Sequence, residues 1–94
     1  MASNFEGFSV VWLKSAHKNF EKLPASTQKA IIKQIDFLPT THENSDIKKL
    51  KGHSELYRLR IGDYRIIFSI DKKIKQICIS AVGHRREIYN ILVN

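Results

Sequence analysis

LYRLRIGDYRIIF, residues Leu56 to Phe68, is two alternating runs joined by Gly62-Asp63, and the way those runs alternate decides the fold. Tyr57, Leu59, Ile61, Tyr64, Ile66 and Phe68 share one parity and are apolar or aromatic, whereas Arg58, Arg60 and Arg65 share the other. Side chains alternate across a strand, so the pattern predicts a hairpin with one buried face and one basic face. A two-residue loop that begins with Gly suits a type II′ turn, which pairs Ile61 with Tyr64, Arg60 with Arg65 and Arg58 with Ile67. The apolar parity survives that register. Directly paired side chains have Cβ atoms about 4.5 to 5.5 Å apart, and like charges there destabilise a sheet. Two readings follow: a solvated face whose arginines splay apart or are covered by acidic residues, or a face built to hold an anion.

Downstream, Asp71 to Ile74 form an expected four-residue connection and Lys75 to Val82 the last strand. Pairing Ile70 with Lys75 sets Phe68 opposite Ile77, Ile66 opposite Ile79 and Tyr64 opposite Ala81, which keeps the parity and puts Ser80 beside Arg65. The strand then ends at the corner that carries Arg60 and Arg65. GHRREIY, Gly83 to Tyr89, emerges there. A helix starting near Arg85 would turn Ile88, Ile91 and Leu92 inward and set Tyr89 on a face shared with Arg85.

Upstream, Phe5 to Leu13 is an expected first strand. Ser15 caps a short helix with Ala16, Phe20 and Leu23 at helical spacing, and Pro24 ends it. A second helix begins at Ser26 or Thr27, with Ile31, Ile32, Ile35 and Leu38 as its apolar stripe, and stops at Pro39. Thr40 to Lys49 reads as a polar loop, with Lys48, Lys49 and Lys51 clustered around Leu50. The order implies one α+β domain over residues 1–94: an N-terminal strand, a two-helix hairpin, three antiparallel strands and a short C-terminal helix.

Sixteen Lys and Arg against nine Asp and Glu give a formal charge of +7, which favours polyanionic partners such as nucleic acid or an acidic protein. No apolar run approaches the roughly 20 residues that span a bilayer. MASNFEGFSVVW has no basic segment before its short apolar stretch, so a secretory signal is not expected, and a cytoplasmic location is. The single cysteine, Cys78, lies between Ile77 and Ile79 as a small strand residue rather than a nucleophile. His17, His42, His53 and Cys78 have no ligand spacing, and neither a metal nor any other cofactor is expected. Phosphate-loop, Ser-His-Asp and paired-carboxylate signals are missing too.

Arginines beside a tyrosine suit a phosphodiester. Guanidinium is a planar fork of donors matched to phosphate oxygens, and an aromatic ring gives an unstacked base a platform. Taken alone, each arginine is also explained by an ion pair, and Tyr89 by the edge of a core. Lys49-Leu50-Lys51-Gly52, Tyr57 to Phe68 and Gly83 to Tyr89 together resemble the RelE branch of the RelE/ParE toxin superfamily, and the preceding strand and helices agree in order.

The resemblance implies a microbial-RNase-like sheet and the toxin of a type II toxin–antitoxin pair. It would enter the ribosomal A site and cut mRNA without a metal, by 2′-hydroxyl attack that leaves a 2′,3′-cyclic phosphate. A RelB-like antitoxin would wrap it in a hetero-oligomer. By position, Arg58, Arg60, Arg65, Arg85 and Tyr89 fall at the family's active-site places. Arg65 would stabilise charge on the phosphate, Arg85 would hold it or protonate the leaving oxygen, and Tyr89 would stack on a base. Lys49, Lys51, Arg58 and Arg86 are the candidate RNA contacts.

Arg60 departs from the family, whose best-understood members carry a lysine there as general base. A guanidinium keeps its proton throughout the neutral range and so accepts protons poorly. His84 is one candidate replacement and a turn residue is its other reading, while Glu87 reads as steadying Arg85 and Arg86. The alternatives are a ParE-like DNA gyrase inhibitor without nuclease activity, and a catalytically degraded member that only binds antitoxin.

Overall fold

A computed structural model describes residues 7–37, 47–50 and 56–88. Their elements run β1 (Ser9–Trp12), α1 (Lys14–Glu21), α2 (Ala25–Phe37), β2 (Ile47–Lys49), β3 (Leu56–Ile61), β4 (Tyr64–Asp71) and β5 (Gln76–His84). The strands form one sheet in the order β1-β5-β4-β3-β2, with β1 parallel to β5 and the other neighbours antiparallel. The α+β class expected from the alternation is the one observed.

Every pairing predicted for the central hairpin is present: Ile61 with Tyr64, Arg60 with Arg65, Arg58 with Ile67. Gly62 has φ +57°, and Asp63 is not among the positive-φ residues, which is the type II′ pattern. A turn of that hand matches the twist of the strands it joins.

The β4–β5 register differs from expectation. Asp71 Oδ1 accepts the amide hydrogens of Lys73 (3.0 Å) and Ile74 (3.4 Å), so the aspartate caps the connection instead of belonging to it. Lys75 closes the turn at φ +53°, leaving β5 to begin at Gln76. Asp71 then pairs with Gln76, Ile70 with Ile77 and Phe68 with Ile79, two residues along from the predicted register and hence with parity kept. A bulge follows. Ile67 pairs with Ala81, so Ser80 is the extra residue, and Gly83 rather than Ser80 stands beside Arg65. The bulge inverts parity: Ile77, Ile79 and Val82 meet the helices, while Ala81 joins Ile67 on the opposite face.

β1 is shorter than the predicted Phe5–Leu13. Gly7 turns at φ +84°, and Leu13 donates its amide hydrogen to the Ile79 carbonyl (2.9 Å), which holds it extended as the last residue before α1. Its own carbonyl accepts the amide hydrogen of His17 (3.0 Å), so the sheet sets the start of α1. Ser15 is therefore inside the first turn, and the cap position, Leu13, makes no side-chain cap. α2 likewise starts at Ala25, ahead of the expected Ser26, because the Pro24 carbonyl takes the Gln28 amide hydrogen (3.0 Å). Gln28 Nε2 also donates to the Leu23 and Glu21 carbonyls (2.9 and 3.2 Å), fastening the end of α1 to the start of α2.

Ala16, Phe20, Ile31 and Ile35 from the helices pack on Leu59, Ile66, Phe68, Ile77, Ile79 and Val82. Ile32 is 40% exposed, a correction to the predicted stripe: one residue on from Ile31 is 100° around the helix, away from the sheet. Leu38 and Pro39 lie outside the described residues. Residues 47–49 form an edge strand where a loop was expected, with Ile47 opposite Leu59. On the far face Ile67, Ala81 and Ile88 make a second small cluster with Leu50 and Leu56. Residues 85–87 form a turn and helical geometry begins only at Ile88, later than the predicted start near Arg85. Ile91 and Leu92 lie outside the described residues.

Candidate active site

The face of the sheet turned away from α1 and α2 carries the arginines because directly paired residues share a face and β3 alternates strictly. Arg60 and Arg65 are direct partners, and Gly83, which has no side chain, flanks Arg65 on its other side. Arg65 Nη1 donates to the carbonyls of Gly62 and Tyr64 (both 2.9 Å), so the guanidinium folds back on the turn. Arg85 reaches the same turn from the other end of the chain. Its amide hydrogen goes to the Asp63 carbonyl (2.7 Å), and its Nε is 3.8 Å from Asp63 Oδ1.

The Arg65 and Arg85 side chains thus meet at the Gly62–Asp63 corner, and Arg60 is the direct strand partner of Arg65 beside it. Arg58 lies further along β3, opposite Ile67 and half-buried, and its Nε is buried with no hydrogen-bond partner. A buried donor left unpaired is costly, so this nitrogen contributes nothing by hydrogen bonding to the fold.

The remaining candidates divide. Lys49 pairs with Tyr57, on the helix-side parity, whereas Lys48 pairs with Arg58 and extends the basic face. Sequence reasoning named Lys48 only as part of a cluster, because the register that separates it from Lys49 depends on the unexpected strand β2. Arg86 is exposed. Lys51 and Tyr89 lie outside the described residues.

His84 pairs with Tyr64 and so belongs to the helix-side face, its ring edge-on to the phenol at 5.7 Å between centroids. Its Nδ1 accepts the Arg86 amide hydrogen (3.2 Å), and the Glu87 amide hydrogen goes to its carbonyl (2.9 Å). With Asn19, Lys22, Leu23, Tyr64 and Glu87 it lines a cleft of about 370 Å³ behind the arginine corner. These are the bonds of a residue that shapes the turn carrying Arg85.

Burial pushes the Cys78 thiol above its ordinary range, which disfavours the nucleophilic thiolate. No grouping of His, Cys, Asp and Glu suited to a metal occurs among the described residues. None of their helices is long and apolar enough to cross a membrane.

The ParE toxin family of type II toxin–antitoxin systems matches residues 10–89. A Methanocaldococcus jannaschii protein that carries the name RelE1 is 34% identical over 85 residues, 87% of this chain and 94% of its own. In solved structures, a chain of the archaeal RelE–RelB complex from Pyrococcus horikoshii superposes with TM-score 0.71 at 32% identity, over 83% of this chain and 94% of that one. A chain of the RelB–RelE antitoxin–toxin complex from Methanococcus jannaschii gives 0.71 at 30% identity, over 85% and 95%.

Proposed function

We propose, for a chain that belongs to the ParE toxin family of type II toxin–antitoxin systems, that it acts as an endoribonuclease of the RelE kind and cuts mRNA in the ribosomal A site. The observation that carries this reading is the meeting of Arg60, Arg65 and Arg85 around one turn, with Arg58 and Lys48 continuing the same face. Like charges gathered at that spacing repel one another, and a bridging phosphate turns the cost into binding.

In the reaction the ribose 2′-oxygen attacks the adjacent phosphorus as its proton leaves, the bond from phosphorus to the 5′-oxygen breaks, and that oxygen takes up a proton. The products are a 2′,3′-cyclic phosphate and a 5′-hydroxyl. Negative charge builds on the non-bridging oxygens at the transition state, where fixed guanidinium groups act most strongly. Arg65, anchored to the turn carbonyls, holds that charge, and Arg85 serves the phosphate or the leaving oxygen. Arg60 stays charged and cannot take the 2′-proton. His84 accepts the Arg86 amide hydrogen at Nδ1 and so supports the turn that carries Arg85. The 2′-proton goes to a group outside the arginines, in the ribosomal RNA or the message, with His84 as the alternative within the chain. Tyr89 stacks on a base, and Lys51 and Arg86 are further RNA contacts.

The archaeal complexes pair their toxin with RelB, and by the same pattern a RelB-like antitoxin covers this chain in a cytoplasmic hetero-oligomer. Induced without its antitoxin, the chain should halt translation at once and leave cuts confined to translated stretches of message. Continued translation with stalled DNA replication would replace this reading with gyrase inhibition.

A further inference from the structure

Asp63 sits in the hairpin turn with its carboxylate facing Arg85, one of the cations proposed above to hold the phosphate, an arrangement that weakens anion binding unless the carboxylate does something else. Both of its oxygen-bearing groups address Arg85. The main-chain carbonyl accepts the Arg85 amide hydrogen at 2.7 Å, and Oδ1 stands 3.8 Å from Arg85 Nε. Arg65 is fastened to the carbonyls on either side, Gly62 and Tyr64. Gly62 and Tyr64 thus hold the Arg65 guanidinium by hydrogen bonds while Asp63 flanks that of Arg85 as an ion pair.

A guanidinium presents two usable edges, one ending in Nε and Nη, the other in the two Nη groups. A carboxylate at Nε occupies the first edge and leaves the second for a phosphate. We propose that Asp63 is a positioning residue for Arg85, aiming its Nη edge at the scissile phosphate at the expense of ground-state affinity for RNA. The proposal rests on the nuclease reading above. Its signature is a split: losing the carboxylate relieves repulsion toward the RNA and so lowers KM, and it frees Arg85 to rotate and so lowers kcat.

Asp63→Asn in the full chain removes the charge and keeps both shape and main-chain carbonyl. On ribosomes programmed with a message, kcat should fall about three- to fivefold, the range open to an exposed ion pair, and KM should fall with it. Asp63→Glu should restore kcat at least in part. A kcat that is unchanged or rises overturns the proposal, and so does a fall in kcat with KM unchanged, which is the mark of a partly misfolded preparation. In an Arg85→Lys background, where the fork is gone, Asp63→Asn should leave kcat where it was; a further equal fall overturns it.

The Arg85 Nε–H resonance of the full chain gives a readout that needs no cleavage. It should shift, and exchange faster with water, in Asp63→Asn. An unaltered resonance in Asp63→Asn overturns the pairing, whereas a shift in Asp63→Asn together with a wild-type chain that cuts no RNA counts against the nuclease reading alone.

Discussion

Arg58 separates stability from function at the scale of one side chain. Its Nε is buried and unpaired, so the free fold gains no hydrogen bond from that donor. Replacing a buried unsatisfied donor with an apolar group of similar length is neutral or stabilising. Arg58→Met should therefore match or exceed the wild-type urea midpoint while RNA cleavage falls at least about tenfold, the scale of one charge-assisted contact. An unfolding free energy lowered by more than about 2 kcal/mol would mean that Arg58 is structural. The parity of Arg58, Arg60 and Arg65 was legible in the sequence because strand alternation is local. Asp63 beside Arg85 was not, since 22 positions of chain and a two-residue turn must fold before the pair exists. His84 was legible as a turn residue and as a base, and the bulge that sets its ring beside Tyr64 on the helix side of the sheet was not legible.

At the scale of elements, turns decide register and register decides the site. Gly62 has open space around its α-carbon but φ +57°, so Gly62→Ala should cost about 1 to 3 kcal/mol from backbone strain alone. Lys75, at φ +53°, is the converse: Lys75→Gly should stabilise by up to about 1 kcal/mol. Urea unfolding measures both, and a stable Gly62→Ala or a weakened Lys75→Gly would contradict the turn geometry. The central hairpin was readable because Gly-Asp between alternating runs admits few turns. β5 was misplaced by two residues because Asp71 looks like a loop residue and is a cap, and because a bulge at Ser80 leaves no mark in a run of Ile, Cys, Ser and Ala. β2 was invisible for a different reason, since three residues cannot display a period.

Over the whole molecule, α1 and α2 cover one face of the sheet and a small cluster around Ile88 covers part of the other, and among the described residues Arg60 and Arg85 at the corner are exposed. The charge of +7 concentrates function there without determining it, for many of the sixteen cations lie on the helices and loops. Fold class and the arginine set could be read before any coordinates, whereas the convergence of β3, β4 and the turn after β5 is a property of the assembled sheet alone. Cleavage of a labelled message on purified ribosomes, with the termini identified chemically, tests that convergence most directly. The wild-type chain should leave 2′,3′-cyclic phosphate ends, and Arg65→Ala and Arg85→Ala should each slow the cut about a hundredfold or more at unchanged melting temperature. Either variant cutting within twofold of the wild-type rate would contradict the assignment of the corner as the place where the phosphate reacts.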